Sequence, residues 1–288
     1  MRVFVQNLGK YNEGYIVGDW IDLPKSRQEI DDYLRNVVGL QLTQKEVDEA
    51  LRTTGVCYEE YMIADYETEL TCWDYNEYAN IHDLNLLAAY EEKARNIDII
   101  NAYCEENNID GIEEICNVIE QEDEILAHTC NYDCFMNDDE LLGNWYVDEC
   151  LCGAENIPTE TLENYFDYEA LGRDLRIEYS PEDDIPPTAE EYWCGDEHAT
   201  DEQIGERCVD EFGFEGINNK DYYFDYEAFG RDLRMDGFSV INNNYGNAII
   251  LESDSSVDTV LYAPLELFDL IDLEGYTENE PEIEMGEN

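Results

Sequence analysis

The sequence predicts an α+β fold, drawn out as an elongated string of small acidic domains: an α+β N-terminal domain, a helical middle and two repeated α+β modules. Three observations carry this. Runs rich in β-branched and aromatic residues alternate with stretches whose apolar residues return at helical spacing. A 13-residue segment recurs 58 residues downstream with 11 identities. The 288 residues include 72 Asp+Glu against 15 Lys+Arg, a formal net charge of −57.

The elements follow in order. Arg2-Val3-Phe4-Val5 and Tyr15 to Ile21 read as strands, and Asn12-Glu13-Gly14 between them is a turn signal. Ser26 with Glu29 forms a capping box, followed by Ile30, Tyr33, Leu34, Val37 and Val38 at helical spacing and by Gly39 as the stop. Thr43 with Glu46 repeats the device, with Val47, Ala50 and Leu51 on one face and Gly55 at the end. Tyr58 to Tyr66 reads as a further strand. Residues 74–128 look helical: Leu84, Leu87, Ala88 and Glu91 to Ala94 suit one helix, and Ile112 to Ile125 another. In the latter, Ile112, Ile115, Cys116 and Ile119 mark an apolar stripe, with Asp123 in the same register. Glu113, Glu114, Glu120, Glu122 and Glu124 fall largely outside it.

Residues 165–177 read YFDYEALGRDLRI and residues 223–235 read YFDYEAFGRDLRM. Internal self-similarity of this kind marks a repeated supersecondary unit. The periods place each copy: Pro158-Thr159 opens a helix, Leu162, Tyr165 and Phe166 share its apolar face, Gly172 serves as a left-handed stop, and Arg173 to Tyr179 alternates like a strand. Val147 to Cys152 and Ile204 to Phe212 read as the helices upstream. The second copy continues into a hairpin, Phe238 to Ile241 and Ala248 to Leu251, turning at Asn242-Asn243-Asn244. The predicted divisions are 1–72 (α+β), 73–128 (helical), 129–187 and 188–252 (the two modules) and 253–288 (an acidic extension).

Aromatic content argues for folding: 22 Tyr, 9 Phe and 4 Trp are far from the apolar-poor signature of disorder. The charge is uneven. Residues 1–95 hold 9 basic and 19 acidic residues (net −10), whereas 96–180 hold 2 and 23 (net −21), with no Lys or Arg between Arg95 and Arg173. Such a surface excludes direct binding to nucleic acid or to an anionic membrane, both of which need positive charge, and calls for a basic partner. Met1 to Lys10 lacks the apolar core of a secretory signal, and no apolar run approaches a membrane span. A cytoplasmic location is therefore expected, with the ten Cys reduced and packed as small hydrophobes.

No catalytic, cofactor-binding or metal-binding residue is predicted. Carboxylate pairs are expected by chance among 72 acids, and His82, His128 and His198 form no constellation. No phosphate loop, nucleophile elbow or dinucleotide fingerprint is present. Cys130/Cys134 and Cys150/Cys152 lack zinc-site spacing, and Asp138-Asp139-Glu140 and Asp183-Asp184 lack a calcium loop.

What remains is a partner-binding surface. On a helix, carboxylates at i and i+3 or i+4 lie about 4.5–6 Å apart along the axis. Duplex DNA carries one charge per ~1.7 Å, so 57 charges correspond to at most about 97 Å of duplex. A DNA-binding cleft can accept such a surface in place of phosphates. The candidates are Glu113, Glu114, Glu120, Glu122 and Glu124, then Asp138, Asp139 and Glu140, and in the repeats Asp167, Glu169 and Asp174 with Asp225, Glu227 and Asp232. Tyr165, Tyr168 and Arg173, with Tyr223, Tyr226 and Arg231, are assigned to packing or to a module–module interface. The two arginines are expected to be held by local carboxylates such as Asp174 and Asp232.

The stretch Asn7-Leu8-Gly9-Lys10-Tyr11-Asn12-Glu13-Gly14 with Gly18-Asp19-Trp20, the Ala64-Asp65-Tyr66-Glu67 element, Leu84-Asn85-Leu86-Leu87 and above all the Tyr-Phe-Asp-Tyr-Glu-Ala-x-Gly-Arg-Asp-Leu repeat resemble the ArdA antirestriction proteins. The resemblance covers roughly residues 1–252 and is patchy over 96–145. It implies a mimic of B-form DNA, encoded on mobile elements, that fills the DNA site of type I restriction–modification enzymes. It also implies a small α+β first domain, a helical middle and an α+β last domain that dimerises. The chain departs from that pattern in the helical stretch 26–55, in the doubled last domain and in the tail after Glu252. The doubling leaves a homodimer and an intramolecular pseudo-dimer both open. A mimic directed at another basic DNA-binding protein, histone-like or a different nuclease, is the alternative that charge alone leaves open.

Overall fold

Successive residues of a strand face opposite sides, so Val3 and Val5 of strand β1 (Arg2–Asn7) share a face, and both are fully buried. β1 is the centre of an antiparallel sheet of order β2-β1-β3, with β2 at Gly18–Asp22 and β3 at Tyr61–Glu67. The register sets Val3 opposite Ile21 and Val5 opposite Ile63. The computed structural model describes residues 1–131, 136–178, 198–214, 217, 220–242, 247–255 and 257. They fall into two compact units that meet in sequence between Leu126 and Ala127.

In the first unit the turn expected at Asn12 to Gly14 is preceded by a short helix, α1 (Leu8–Asn12). Asn7 caps it, its Oδ1 accepting from the Lys10 N–H at 2.9 Å, while its Nδ2 donates to the Val38 carbonyl at 3.0 Å. One buried amide thus fixes the exit of β1 against the end of the next helix. Both predicted capping boxes are present, Ser26/Glu29 opening α2 (Arg27–Tyr33) and Thr43/Glu46 opening α3 (Gln44–Thr53). α2 widens into a π-helical turn, Leu34–Val38, and ends at Gly39, whose φ of 80° is the left-handed conformation that glycine adopts without strain.

Helices α4 (Ile81–Lys93), α5 (Ile97–Glu106) and α6 (Ile112–Glu120) follow. α4 buries Leu84, Leu87 and Ala88, as its spacing requires. It also buries Asn85, whose side chain accepts from the Lys25 N–H at 2.7 Å and donates to the Lys25 carbonyl at 2.9 Å. Ile115, Cys116 and Ile119 of α6 are buried, but the helix stops at Glu120 and a 3-10 turn occupies Glu122–Glu124. Asp123 therefore leaves the apolar register, with its side chain 80% exposed.

The second unit holds an antiparallel sheet of order β4-β6-β5, with β4 at Ala127–Asn131, β5 at Phe238–Asn242 and β6 at Asn247–Glu252. The hairpin β5–β6 lies where the sequence placed it, though Asn243 and Asn244 of its turn fall outside the described residues. Strand β4 is a correction, since helix was expected up to residue 128. Its partner lies over a hundred residues downstream, Thr129 pairing with Ile249.

The helices of this unit are α7 (Asp138–Trp145, continued by a π-helical turn at Tyr146–Cys150), α8 (Thr159–Tyr165), α9 (Tyr168–Glu178), α10 (Asp201–Phe212) and α11 (Tyr226–Met235). α9 overturns the strand expected from Arg173; Tyr179 lies outside the described residues. The helix runs through Gly172, which is no stop. A Cβ on Gly172 would overlap the Asp201 carbonyl oxygen of α10, and one on Gly230 the Asp139 carbonyl of α7. Glycine stands here because two helix backbones touch, not because the chain turns left-handed. The core around them joins Leu142, Trp145, Leu162, Phe166, Leu171, Phe214, Phe224, Phe229, Leu233 and Ile250. Pro181 and Pro186-Pro187 of the expected linker, and the extension beyond residue 257, lie outside the described residues.

Candidate partner-binding surface

Helix α6 carries its carboxylates away from its buried stripe: Ile115, Cys116, Val118 and Ile119 are buried together with one amide, Asn117, and Glu113, Glu114 and Glu120 are exposed. The two cations nearest in sequence are both engaged. Lys93 reaches Glu120, and Arg95 reaches Asp123 at 2.5 Å. Arg95 also holds Glu122, its backbone N–H donating at 3.0 Å and its Nε lying 3.5 Å away. That corrects the reading of Glu122 as a free outer carboxylate, for its side chain is only 10% exposed. Glu124 remains exposed.

At the start of α7, Asp138, Asp139 and Glu140 are half-buried. Acids in a first helical turn complement the positive end of the helix dipole. Asn137 caps this turn, its Oδ1 accepting from the Glu140 N–H at 2.8 Å. Asp139 has a further use, taking Arg234 at 3.1 Å and Arg231 at 3.7 Å.

The repeat acids divide by position. Asp167 and Asp225 are helix caps: each Oδ1 accepts from the N–H three residues on, Ala170 at 2.8 Å and Ala228 at 2.9 Å. Glu169 and Glu227 pair along their own helices with Arg173 at 3.3 Å and Arg231 at 3.2 Å. The expected holders of these arginines, Asp174 and Asp232, instead accept from tyrosines, Tyr223 Oη to Asp174 at 2.9 Å and Tyr165 Oη to Asp232 at 2.5 Å. The hydrogen bond to the Asp232 carboxylate pushes the Tyr165 phenol up to about 12, with burial adding to it. Tyr226 Oη donates to Asp221 at 3.0 Å, and the ring of Tyr168 packs edge-on against Phe166 at 4.9 Å.

Sequence reasoning missed two groups that organise this region, Asp201, which takes Arg176 at 2.6 Å, and Asp221, the partner of Tyr226, and in the first unit it missed the role of buried Asn85. A signal for Asp201 was present, because Asp201 and Gly205 reproduce the spacing of Asp139 and Gly143.

Thiols divide more finely than expected. Cys104, Cys116 and Cys208 are buried, but Cys150 and Cys152 are exposed, a correction to the reading of the cysteines as small core hydrophobes. Burial pushes the Cys116 thiol up to about 12. Cys134 and Cys194 lie outside the described residues. Among the described residues, no helix is long and apolar enough to cross a membrane.

An acidic α+β protein whose exposed helix faces are carried by carboxylates is the class that fold and surface define. The family model of the antirestriction protein ArdA matches residues 3–183, more than half of the chain, and the chain belongs to that family. The match includes the first copy of the repeat and ends before the second. No curated protein matches the chain.

Proposed function

We propose that this antirestriction protein mimics the shape and charge of B-form DNA and competes for the DNA-binding site of type I restriction–modification enzymes, shielding incoming mobile DNA. The carboxylate excess is the observation that supports this reading. Of 15 cations, those at 93, 95, 173, 176, 231 and 234 are pinned in the ion pairs above, and the chain still carries a net charge of −57. Glu113, Glu114 and Glu124 face solvent in the region without cations. A cleft built for phosphates gains by meeting such groups, because counterions condensed on both surfaces are released. The protein then acts by occupancy, with no covalent step and no cofactor, on the DNA-binding subunits of the enzyme.

An order-of-addition assay tests this. A purified type I restriction enzyme meets the protein first, then unmethylated target DNA and cofactors, at several salt concentrations. Inhibition that fades with competitor DNA and with rising salt is expected. Absence of inhibition at micromolar protein and low salt would reject the reading in favour of a different basic DNA-binding partner.

A further inference from the structure

The second unit carries a repeated set of contacts, and every contact in the set joins one copy of the repeat to the other. α7 packs on α11, and α9 packs on α10. Each crossing is made at a pair of glycines: Gly143 against the 226–230 stretch and Gly230 against Asp139 and Gly143 in one, Gly205 against Tyr168 and Gly172 against Asp201 and Gly205 in the other. Arg234 binds Asp139, and its counterpart Arg176 binds Asp201, the counterpart of Asp139. Tyr165 binds Asp232, and Tyr223 binds Asp174. At the centre Phe166 and Phe224 form an antiparallel bridge, the Asp167 N–H donating to the Tyr223 carbonyl at 2.7 Å and the Asp225 N–H to the Tyr165 carbonyl at 2.8 Å.

The sequence repeat is therefore longer than the 13 identical-frame residues. Asp139-Glu140-Leu141-Leu142-Gly143 and Asp201-Glu202-Gln203-Ile204-Gly205 are a second repeated pair, offset by 62 residues instead of 58. Contacts that exchange under one twofold operation are the signature of an isologous interface, in which residue i meets j and j meets i. Here both halves lie on one chain.

We infer that helices α7 and α9 of the first copy and α10 and α11 of the second are a fused twofold pair, in which the second copy fills the face through which a single copy would take up a second copy of the chain. Neither copy is complete alone. Among the described residues, helix α7 of the first copy makes its glycine crossing on α11 of the second, and α10 of the second makes its own on α9 of the first. The polar groups that recur in both copies are spent within this pair and are positioning residues for the acidic surface. The inference rests on contacts within the second unit and does not depend on which enzyme the surface meets.

Two measurements on the full chain test it. First, unfolding of the unmodified protein is followed by tyrosine and tryptophan fluorescence over a hundredfold range of protein concentration. A pair closed within one chain predicts a midpoint independent of concentration. A midpoint that rises with concentration, the mark of folding coupled to association, would overturn it. Second, a benzophenone amino acid replaces Phe166, and the illuminated protein is analysed on denaturing gels and by peptide mass. Products joining residue 166 to the 223–225 segment at the mass of one chain, 33.5 kDa, are expected. The same linkage at twice that mass would show that the contact is made between chains and would reject the inference.

Discussion

At the scale of single residues, a buried carboxylate and a close backbone crossing have different consequences. Glu91 accepts from Thr68 Oγ1 at 2.5 Å, from the Glu69 N–H at 2.7 Å and from the Met1 amino group at 2.8 Å. Burial alone would raise its carboxyl pKa, but these donors outweigh it and hold the pKa below the ordinary value. A carboxyl depressed by folding stabilises the native state fully above the unfolded pKa of about 4.3. That contribution is lost as pH falls through the folded pKa. Glu91→Gln should therefore destabilise the first unit at pH 7 and flatten the acid limb of its pH–stability curve. An unchanged acid limb would disprove the assignment. Gly172 and Gly230 act through space. Adding one methyl at either forces two helix backbones apart, and overpacking of this kind costs about 1–3 kcal/mol. Gly172→Ala and Gly230→Ala should each lower the urea midpoint of the second unit by similar amounts. A loss at only one of the two would contradict equivalent crossings.

At the scale of elements, the helix caps give the most direct forecast. Removing a side-chain cap costs about 1 kcal/mol, so Ser26→Ala and Thr43→Ala should each destabilise the first unit by that order in equilibrium urea unfolding. These elements were legible because their signals are local: a capping residue, a partner three positions on, and an apolar stripe between them. Gly172 was misread for a physical reason. A left-handed stop and a close helix crossing both demand glycine, and only the partner helix, 29 residues away at Asp201, distinguishes them. Strand β4 was missed because five residues, Ala127-His128-Thr129-Cys130-Asn131, carry little alternation and owe their state to β6. The candidate surface was legible as composition and less so as roles. That Asp139, Asp174 and Asp232 are taken by arginine or tyrosine depends on pairings between distant segments. No spacing within the repeat announces them.

At the scale of the whole molecule, charge governs both stability and binding. A net charge of −57 opposes compaction. Added NaCl screens that repulsion, with a Debye length of about 10 Å at 0.1 M. The thermal midpoint should therefore rise between low salt and a few hundred millimolar, while affinity for a basic partner falls over the same range. A midpoint that fell with salt would show that paired charges outweigh the excess. Neutralising the exposed acids one at a time, as in Glu113→Gln, Glu114→Gln and Glu124→Gln, should weaken inhibition by no more than a few-fold each and additively. A single substitution that abolished it would contradict a distributed surface. The reciprocal arrangement of the second unit has one more consequence. When two identical chains meet about an axis, every substitution is made twice, and a change useful on one side is imposed on the other. Joining both halves in one reading frame lifts that constraint. The copies already differ, Leu171 standing opposite Phe229 in the alignment and Ile177 opposite Met235, and Asp139 gathers two arginines, Arg231 and Arg234. A lineage that carries both halves together can tune each flank of its surface independently while the shared centre at Phe166 and Phe224 stays in place.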